Sequence, residues 1–432
     1  MNYRVGRSPK VFFGWWTVLF TGIISGLGHG FYGFGMSVFF KDLAMELGLS
    51  RALTSVAAGI GRLEGGITSP LTGWLADRYG PRWVIFTGVL VAGIGMVLMN
   101  FITTIGAYII AWGVLTGVGL NIGLTIAVDK TLNDWFVSKR GLAQGTKFAL
   151  IGLGGVIVLP VVTWLVTWQG WRMTCLIWGV VLFAGSPLTL IFVKQKRPEY
   201  YGMLPDGAQR ESDGRDMIKQ GEDYASSFKE REHTFKQAVK TQAYWLLTTS
   251  FGIQSIIYGG LIVHMIPFLT DMGIERTIAG RMMGMMVFFT IPSRFLGGLI
   301  VDRIGKGRLS LLLAGAFFLQ AAGIIALLID RSMTSLYVFL ILFGLSSGAS
   351  TPLYILMIGR YFGRKAFGSI LGSSLAIRAP LSLVAPVFTG WVYDTFGNYT
   401  PAFTLFAALS AIAALLACLA RPAELPLKEG MT

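Results

Sequence analysis

Five ionisable side chains lie where charge is expensive. Arg62, Glu64, Lys147, Arg294 and Arg378 each fall well inside an apolar stretch long enough to cross a bilayer, and an unpaired charge at such depth costs several kcal/mol. Each is therefore a candidate functional group. Four are cations and one is an anion, which leaves positive charge in a low-dielectric interior that a bound anion offsets. The expected ligand is negatively charged, and a carboxylate suits it best, because the planar guanidinium fork donates two parallel hydrogen bonds. Counting from the nearest charged loop at about 1.5 Å of rise per residue places Arg294 and Lys147 roughly 12 Å deep, and Arg62, Glu64 and Arg378 roughly 20–22 Å deep. Structural roles compete with ligand binding: Arg294 can brace the adjacent loop, and Lys147 is near enough to the surface to snorkel into it. Arg62 and Glu64 are two residues apart on a helix, so they cannot both face one cavity squarely.

Other polar residues interrupt the apolar segments. Tyr32, Asn121, Gln254, Tyr258 and Tyr354 can shape the space around the charges, a tyrosine offering an apolar face and one hydroxyl to orient a small organic acid. Ordinary packing accounts for any one of them equally well. His29 and His264 can titrate near neutral pH, although a hydrogen-bonded core histidine is the commoner outcome. The run Met282-Met283-Met285-Met286 reads as adaptable helix packing rather than a metal site. No Cys/His metal spacing, Walker-type phosphate loop or nucleophile elbow occurs, so no catalytic residue, metal or other cofactor is expected, nor an enzyme. Cys175 and Cys418 fall in apolar segments, which points to buried packing and not to a disulfide scaffold.

These side chains need rigid elements to hold them at depth. Of the 432 residues, 53% are apolar and only 13% charged, about half the charge of an ordinary soluble domain, so the chain is expected in a lipid bilayer. Apolar segments of roughly 20 residues lie near 13–40, 52–73, 83–102, 105–128, 141–166 and 172–193, and again near 242–269, 279–301, 309–329, 335–359, 367–391 and 400–420. The fold class expected is an all-α membrane protein of twelve transmembrane helices in two pseudo-symmetric six-helix bundles. Its boundaries are an N-terminal bundle over 1–193, a linker over 194–241 and a C-terminal bundle over 242–432.

With both termini on the cytoplasmic side, the inner loops and tails carry about 26 of the 36 basic residues and the outer loops about six, the bias that orients membrane proteins. The net charge of +14 is mostly this topological signal, and it implies no nucleic-acid partner. A bacterial inner membrane is the expected location. The linker is polar, with little periodicity; a passive tether is the favoured reading, with a short surface helix expected over Phe228–Ala238.

An internal repeat organises the whole chain. Gly73-Trp74-Leu75-Ala76-Asp77-Arg78-Tyr79-Gly80-Pro81-Arg82 recurs as Gly298-Leu299-Ile300-Val301-Asp302-Arg303-Ile304-Gly305-Lys306-Gly307-Arg308, and Trp135-Phe136-Val137-Ser138-Lys139 is echoed by Tyr361-Phe362-Gly363-Arg364-Lys365. In each copy of the first of these motifs a carboxylate, Asp77 or Asp302, precedes an arginine, Arg78 or Arg303. Such a pair at a helix end can cap a neighbouring helix N-terminus in one conformation and release it in another.

With these motifs the chain resembles the major facilitator superfamily, whose signature loop between helices 2 and 3 has a weaker copy between helices 8 and 9. Phe13-Gly14-Trp15-Trp16, and Trp135-Phe136 with Lys139-Arg140-Gly141-Leu142-Ala143-Gln144-Gly145, are similar to the monocarboxylate and oxalate/formate transporter branch. The resemblance implies alternating access around a central cavity, with helix 2 facing helix 11 and helix 5 facing helix 8 across the halves. Glu64 is then a partner for Arg378, which serves either as that partner alone or as a second ligand. It also implies that Arg294 takes the place of the helix 8 arginine that binds the substrate carboxylate, and that Arg378, eight residues before Pro386, takes the place of a second cation. Proton-coupled members often carry a carboxylate four residues before that arginine, where this chain has Thr290; Glu64 is the expected substitute as proton carrier. The activity expected is secondary transport of a small mono- or dicarboxylate, proton-coupled or anion-exchanging, with export of drugs or metabolites as the alternative.

Overall fold

A computed structural model describes residues 11–48, 51–208, 216–227, 232–303 and 308–422. The side chains of residues 51–64 lie outside this description, so Arg62 and Glu64 are placed on their helix and no further.

The described residues form helices and no strands. Helix α1, residues 13–46, is Phe13–Gly30 carried through π-helical turns at Phe31–Gly35 into Met36–Glu46. Helix α2 is Arg51–Tyr79, α3 is Pro81–Leu98, and α4 covers residues 105–135 with π-helical turns at Ile109–Val118 and Ile122–Ile126. The stretch Arg140–Phe192 is two rods, α5 (140–169) and α6 (171–192), because Gly170 adopts φ 78°, a left-handed value that breaks the helix where a side chain would be strained. The second half supplies α7 (Gln242–Asp271), α8 (Arg276–Arg303), α9 (Leu309–Asp330), α10 (Met333–Phe362), α11 (Phe367–Phe396) and α12 (Thr400–Leu419). Among the described residues, nine helices are long and apolar enough to cross a membrane. Counting the break at Gly170, and adding α1 and α2, makes twelve rods.

The helices outrun the apolar segments that announce them. Helix α2 continues to Tyr79 and α4 to Trp135, because charged residues in the last turns find partners. Lys130 donates to Asp134 at 2.9 Å with i,i+4 spacing, a pairing that supports the helix it sits on.

Apolar packing divides between the halves. One cluster of buried side chains is drawn from residues 18–193 and centres on Phe31, Phe39, Trp112 and Trp178, while two others come almost wholly from residues 238–420. The halves meet where α2 packs on α11 and α5 on α8. Both seams are glycine on glycine: a Cβ on Gly73 would overlap the carbonyl oxygen of Gly368, and one on Gly141 would overlap that of Gly298. Backbones therefore touch directly at these points, the close approach that small residues permit where lipid gives no hydrophobic drive.

The linker is not a passive tether. Residues 194–208 fold back through turns at Pro198–Tyr201 and Pro205–Gly207, and helices Met217–Ser227 and Phe235–Ala238 follow. The expected surface helix over 228–238 is reduced to the single turn Phe235–Ala238, closed by a capping box at Thr234 and Gln237; residues 228–231 lie outside the description.

Candidate functional site

Two groups of polar residues stand out, one sealing the end of the bundle that carries the linker and one at its centre. At the linker end, Asp77 closes α2 and accepts from the backbone N–H groups of Gly368 (3.1 Å) and Ser369 (2.8 Å), and from the Ser369 hydroxyl. Asp302 closes α8 and accepts from the N–H groups of Gly141 (2.7 Å) and Leu142 (2.6 Å). Each carboxylate therefore caps the first turn of a helix in the opposite half, where free N–H groups and the helix dipole favour negative charge. Cations hold both acids in place: Lys130 lies 3.6 Å from Asp77, and Arg360 3.2 Å from Asp302. The neighbouring arginines behave differently. Arg78 stacks over Trp74 and Tyr79, and Arg303 is exposed.

Linker carboxylates cap the same two helix starts a second time. Asp206 accepts from the N–H groups of Val137, Ser138 and Lys139 at 2.8–3.1 Å, just ahead of α5. The Tyr224 hydroxyl also donates to it at 3.1 Å, and burial pushes that phenol up to about 12, so it remains a donor at neutral pH. Glu232 accepts from the N–H groups of Arg364 and Lys365, just ahead of α11. Glu199 forms a 2.9 Å ion pair with Arg364, the two side chains being 3% and 1% exposed. Arg364 in turn donates to the Asp134 carbonyl at 3.2 Å while its own carbonyl accepts from Lys130 at 2.6 Å, which binds α4 to the α10–α11 loop. A cavity of about 580 Å³ lies in this region, lined by both acids and bases including Asp77, Lys130, Arg197 and Lys365.

At the centre the cations are arranged differently. Among the described residues no acceptor is recorded for the Arg294 guanidinium, and its Nε is buried without a hydrogen bond. It faces α5 near Gly152, and the Tyr258 hydroxyl is close enough to interact with it electrostatically. Arg378 is 7% exposed and lies over the rings of Tyr354 (4.7 Å) and Phe251 (5.0 Å), with Nε donating to the Ser374 carbonyl at 3.2 Å. Tyr354 is bonded to Ser374 and so fixes the ring on which Arg378 rests. Lys147 does not snorkel. It is buried, bonded to Asp129 of α4, and set over the Phe148 ring at 3.8 Å.

The remaining candidates are scattered. Asn121 donates to the Gly117 carbonyl at 3.0 Å and packs against Gly65 of α2, one residue past Glu64. Tyr32 stacks on Trp112. His29 bonds the Ser25 carbonyl at 3.2 Å near Lys147. His264 is tied to the Pro386 carbonyl (2.9 Å) and the Tyr399 hydroxyl (3.4 Å), within the packing of α7, α11 and α12. Residues that sequence reasoning passed over are Asp129, Lys130 and Asp134, just beyond the apolar part of α4, and Glu199, Asp206, Glu232 and Arg364. The Lys130/Asp134 spacing was a readable signal of helix continuation; the linker acids carried none.

A sequence profile of the Major Facilitator Superfamily matches residues 18–380. The chain belongs to that superfamily and is a multi-pass membrane protein of the transporter class. Similar proteins include monocarboxylate transporter 12 of Mus musculus, 26% identical over 78% of this chain and 71% of the mouse protein, and monocarboxylate transporter 13 of Rattus norvegicus, 26% identical over 92% and 86%. The uncharacterized MFS-type transporter YcxA of Bacillus subtilis is 23% identical over 93% and 94%. Two solved structures share the fold at 14% identity: the proton:xylose symporter XylE (TM-score 0.72, covering 93% of this chain and 94% of that one) and the human organic anion transporter MFSD10 (TM-score 0.68, 93% and 98%).

Proposed function

We propose that this protein is a secondary transporter of a small organic carboxylate, and that the conformation described is the one closed at the linker end. Arg294 carries the reading: a guanidinium at the centre of the fold with no recorded anion among the described residues is a site prepared for one, since leaving it empty costs more than filling it with a carboxylate. Arg378, cradled by Tyr354 and Phe251, serves as a second ligand or as the partner of Glu64. The names of the monocarboxylate transporter relatives support the same substrate class. Asp77 and Asp302, with Asp206 and Glu232 behind them, form the gate; opening it exposes four sets of backbone N–H groups to water and closing it recaptures them. The linker end faces the cytoplasm, in keeping with its share of lysine and arginine.

The test is thermal stability of the purified protein against pyruvate, malonate, benzoate and the lipophilic cation tetraphenylphosphonium, since a ligand of the folded state raises the melting temperature by mass action. Stabilisation by one or more carboxylates, lost in Arg294→Gln, is expected, and a dicarboxylate preference assigns Arg378 as second ligand. Stabilisation by the cation alone overturns the proposal in favour of drug export.

A further inference from the structure

The Asp129–Lys147 ion pair is the feature of the interior that anion binding alone does not explain. Both side chains are only 2% exposed. They lie about one and a half to two helical turns in from the linker end, Asp129 six residues before the end of α4 and Lys147 seven after the start of α5. A buried pair of this kind is rarely retained for stability, because apolar residues of similar volume usually do as well. Its position offers another reason. Lys147 is near enough to Arg294 for the two cations to repel, and α5 meets α8 there, with the Arg294 carbonyl packed on Gly145.

We propose that Asp129 is the proton-binding carboxylate of the transport site, taking up one proton for each substrate carboxylate that Arg294 holds. The proposal rests on the anion-transport reading above. Its logic is a charge balance over Asp129, Lys147 and Arg294. With Asp129 ionised the empty cluster carries one net positive charge, and protonating it then gives two, confined in a medium of low dielectric. A bound carboxylate first brings the ionised cluster to neutrality, so protonation returns it only to one. Substrate therefore raises the proton affinity of Asp129, and by linkage a proton on Asp129 raises the affinity for substrate by the same factor. The proton comes from water on the side to which the cavity is open. It forms an O–H bond on the Asp129 carboxylate, the ion pair with Lys147 is lost, and the freed ammonium becomes a second donor to the substrate. Opening of the other side returns the proton to water there.

Among the described residues Lys147 is the one charged partner of Asp129, and the Gln144 amide also reaches its carboxylate. Gln144 of α5 lies beside it with its amide nitrogen 3.5 Å from the Asp129 carbonyl, and Arg140 is spent on the carbonyls of Phe136 and Asn133. On α4 itself Lys130 and Asp134 pair with each other and, through Lys130, with Asp77 of α2. From α1 His29 is near Lys147. Helix α3 carries only Arg82, and Arg378 of α11 is held on Phe251 and Tyr354. Thr290, four residues before Arg294, is bonded to the Val287 carbonyl and offers no carboxylate.

Proton uptake is read directly by adding pyruvate or malonate to the purified full-length protein in weak buffer with a pH-indicating dye, alongside the melting-temperature shift in the same sample. The wild type is expected to take up about one proton per acid bound. Asp129→Asn, which mimics the protonated acid, is expected to remain stabilised by the acid, take up no proton, and lose the pH dependence of its affinity. If that variant does not fold, Asp129→Asn/Lys147→Gln removes both charges and is expected to bind more weakly, again without proton uptake. Stabilisation of the wild type without proton uptake overturns this inference and leaves the anion site standing. Uptake that persists in Asp129→Asn but vanishes in Glu64→Gln overturns it in favour of Glu64. Failure of pyruvate, malonate and benzoate alike to stabilise the wild type defeats the transport reading, and this inference with it.

Discussion

The gate and the centre of the molecule treat the internal repeat in opposite ways. At the linker end the duplication keeps both backbone caps, while the Ser369 hydroxyl bond to Asp77 has no counterpart at Leu142. Asp77 and Asp302 are 225 residues apart, and the N–H groups they capture, at Gly368 and Ser369 and at Gly141 and Leu142, are 227 apart. Even the linker respects the symmetry, with Asp206 and Glu232 capping equivalent loops. At the centre the symmetry is absent: positions 226 or 227 residues beyond Lys147 hold Ser373 and Ser374, and the position 225 before Arg294 holds Ser69. On the proposed transport reading, motion between two similar halves needs matched contacts on both seams, whereas recognition of one small anion needs charge placed on one side of it.

The strongest way to break this contrast is to remove the asymmetric charge. Arg294→Gln is expected to weaken carboxylate binding by about a hundredfold or more, the scale of losing one member of a desolvated charge pair, with the unliganded protein at least as stable as the wild type, because an unanswered buried charge is removed. Ligand titration followed by thermal shift checks it.

Next in size is the linker. Glu199→Ala takes the 2.9 Å partner from the buried Arg364, which keeps Glu232 at 3.8 Å and the Asp134 carbonyl; breaking a buried pair costs at most about 3–5 kcal/mol, and the change is expected to favour the state open at the linker end. Spin-label distances between the α2–α3 and α10–α11 loops read that population. A smaller, paired effect sharpens the symmetry. Asp77→Asn and Asp302→Asn each weaken charge-assisted capping by about 1–2 kcal/mol and should shift the same distances by similar amounts. A large effect of one with none from the other would show that the seams are not equivalent. Tyr224→Phe removes the hydroxyl that bonds Asp206 at 3.1 Å and Ser138 at 3.5 Å, contacts of a neutral donor worth about 1 kcal/mol, and should produce the smallest shift of the four.

Much of the fold was legible because the signals are local. Apolar runs of membrane length, the doubled loop, and the turns at Gly80 and Gly170 act within a few residues of themselves. Asp77, Asp302 and the buried cations were visible by type and position. Asp129 was not, since it falls one residue beyond the apolar stretch of α4, where a charge reads as loop. Nor were Glu199, Asp206 and Glu232, whose polar linker has no periodicity to reveal a docked surface. The place of Lys147 was open for a related reason: its depth allows it to snorkel, and only a carboxylate on another helix keeps it inside.

The sequence by itself determined the twelve apolar rods, their duplication and the surplus of buried positive charge, all of which follow from composition and spacing along the chain. Tertiary structure decided which charges are answered. Asp77 finds its N–H partners 291 and 292 residues away, Lys147 finds Asp129 on the adjacent helix, and no carboxylate is recorded beside Arg294 among the described residues. Those outcomes depend on how rods pack against one another, glycine on glycine at the two seams, and no local propensity encodes a distance across an interface.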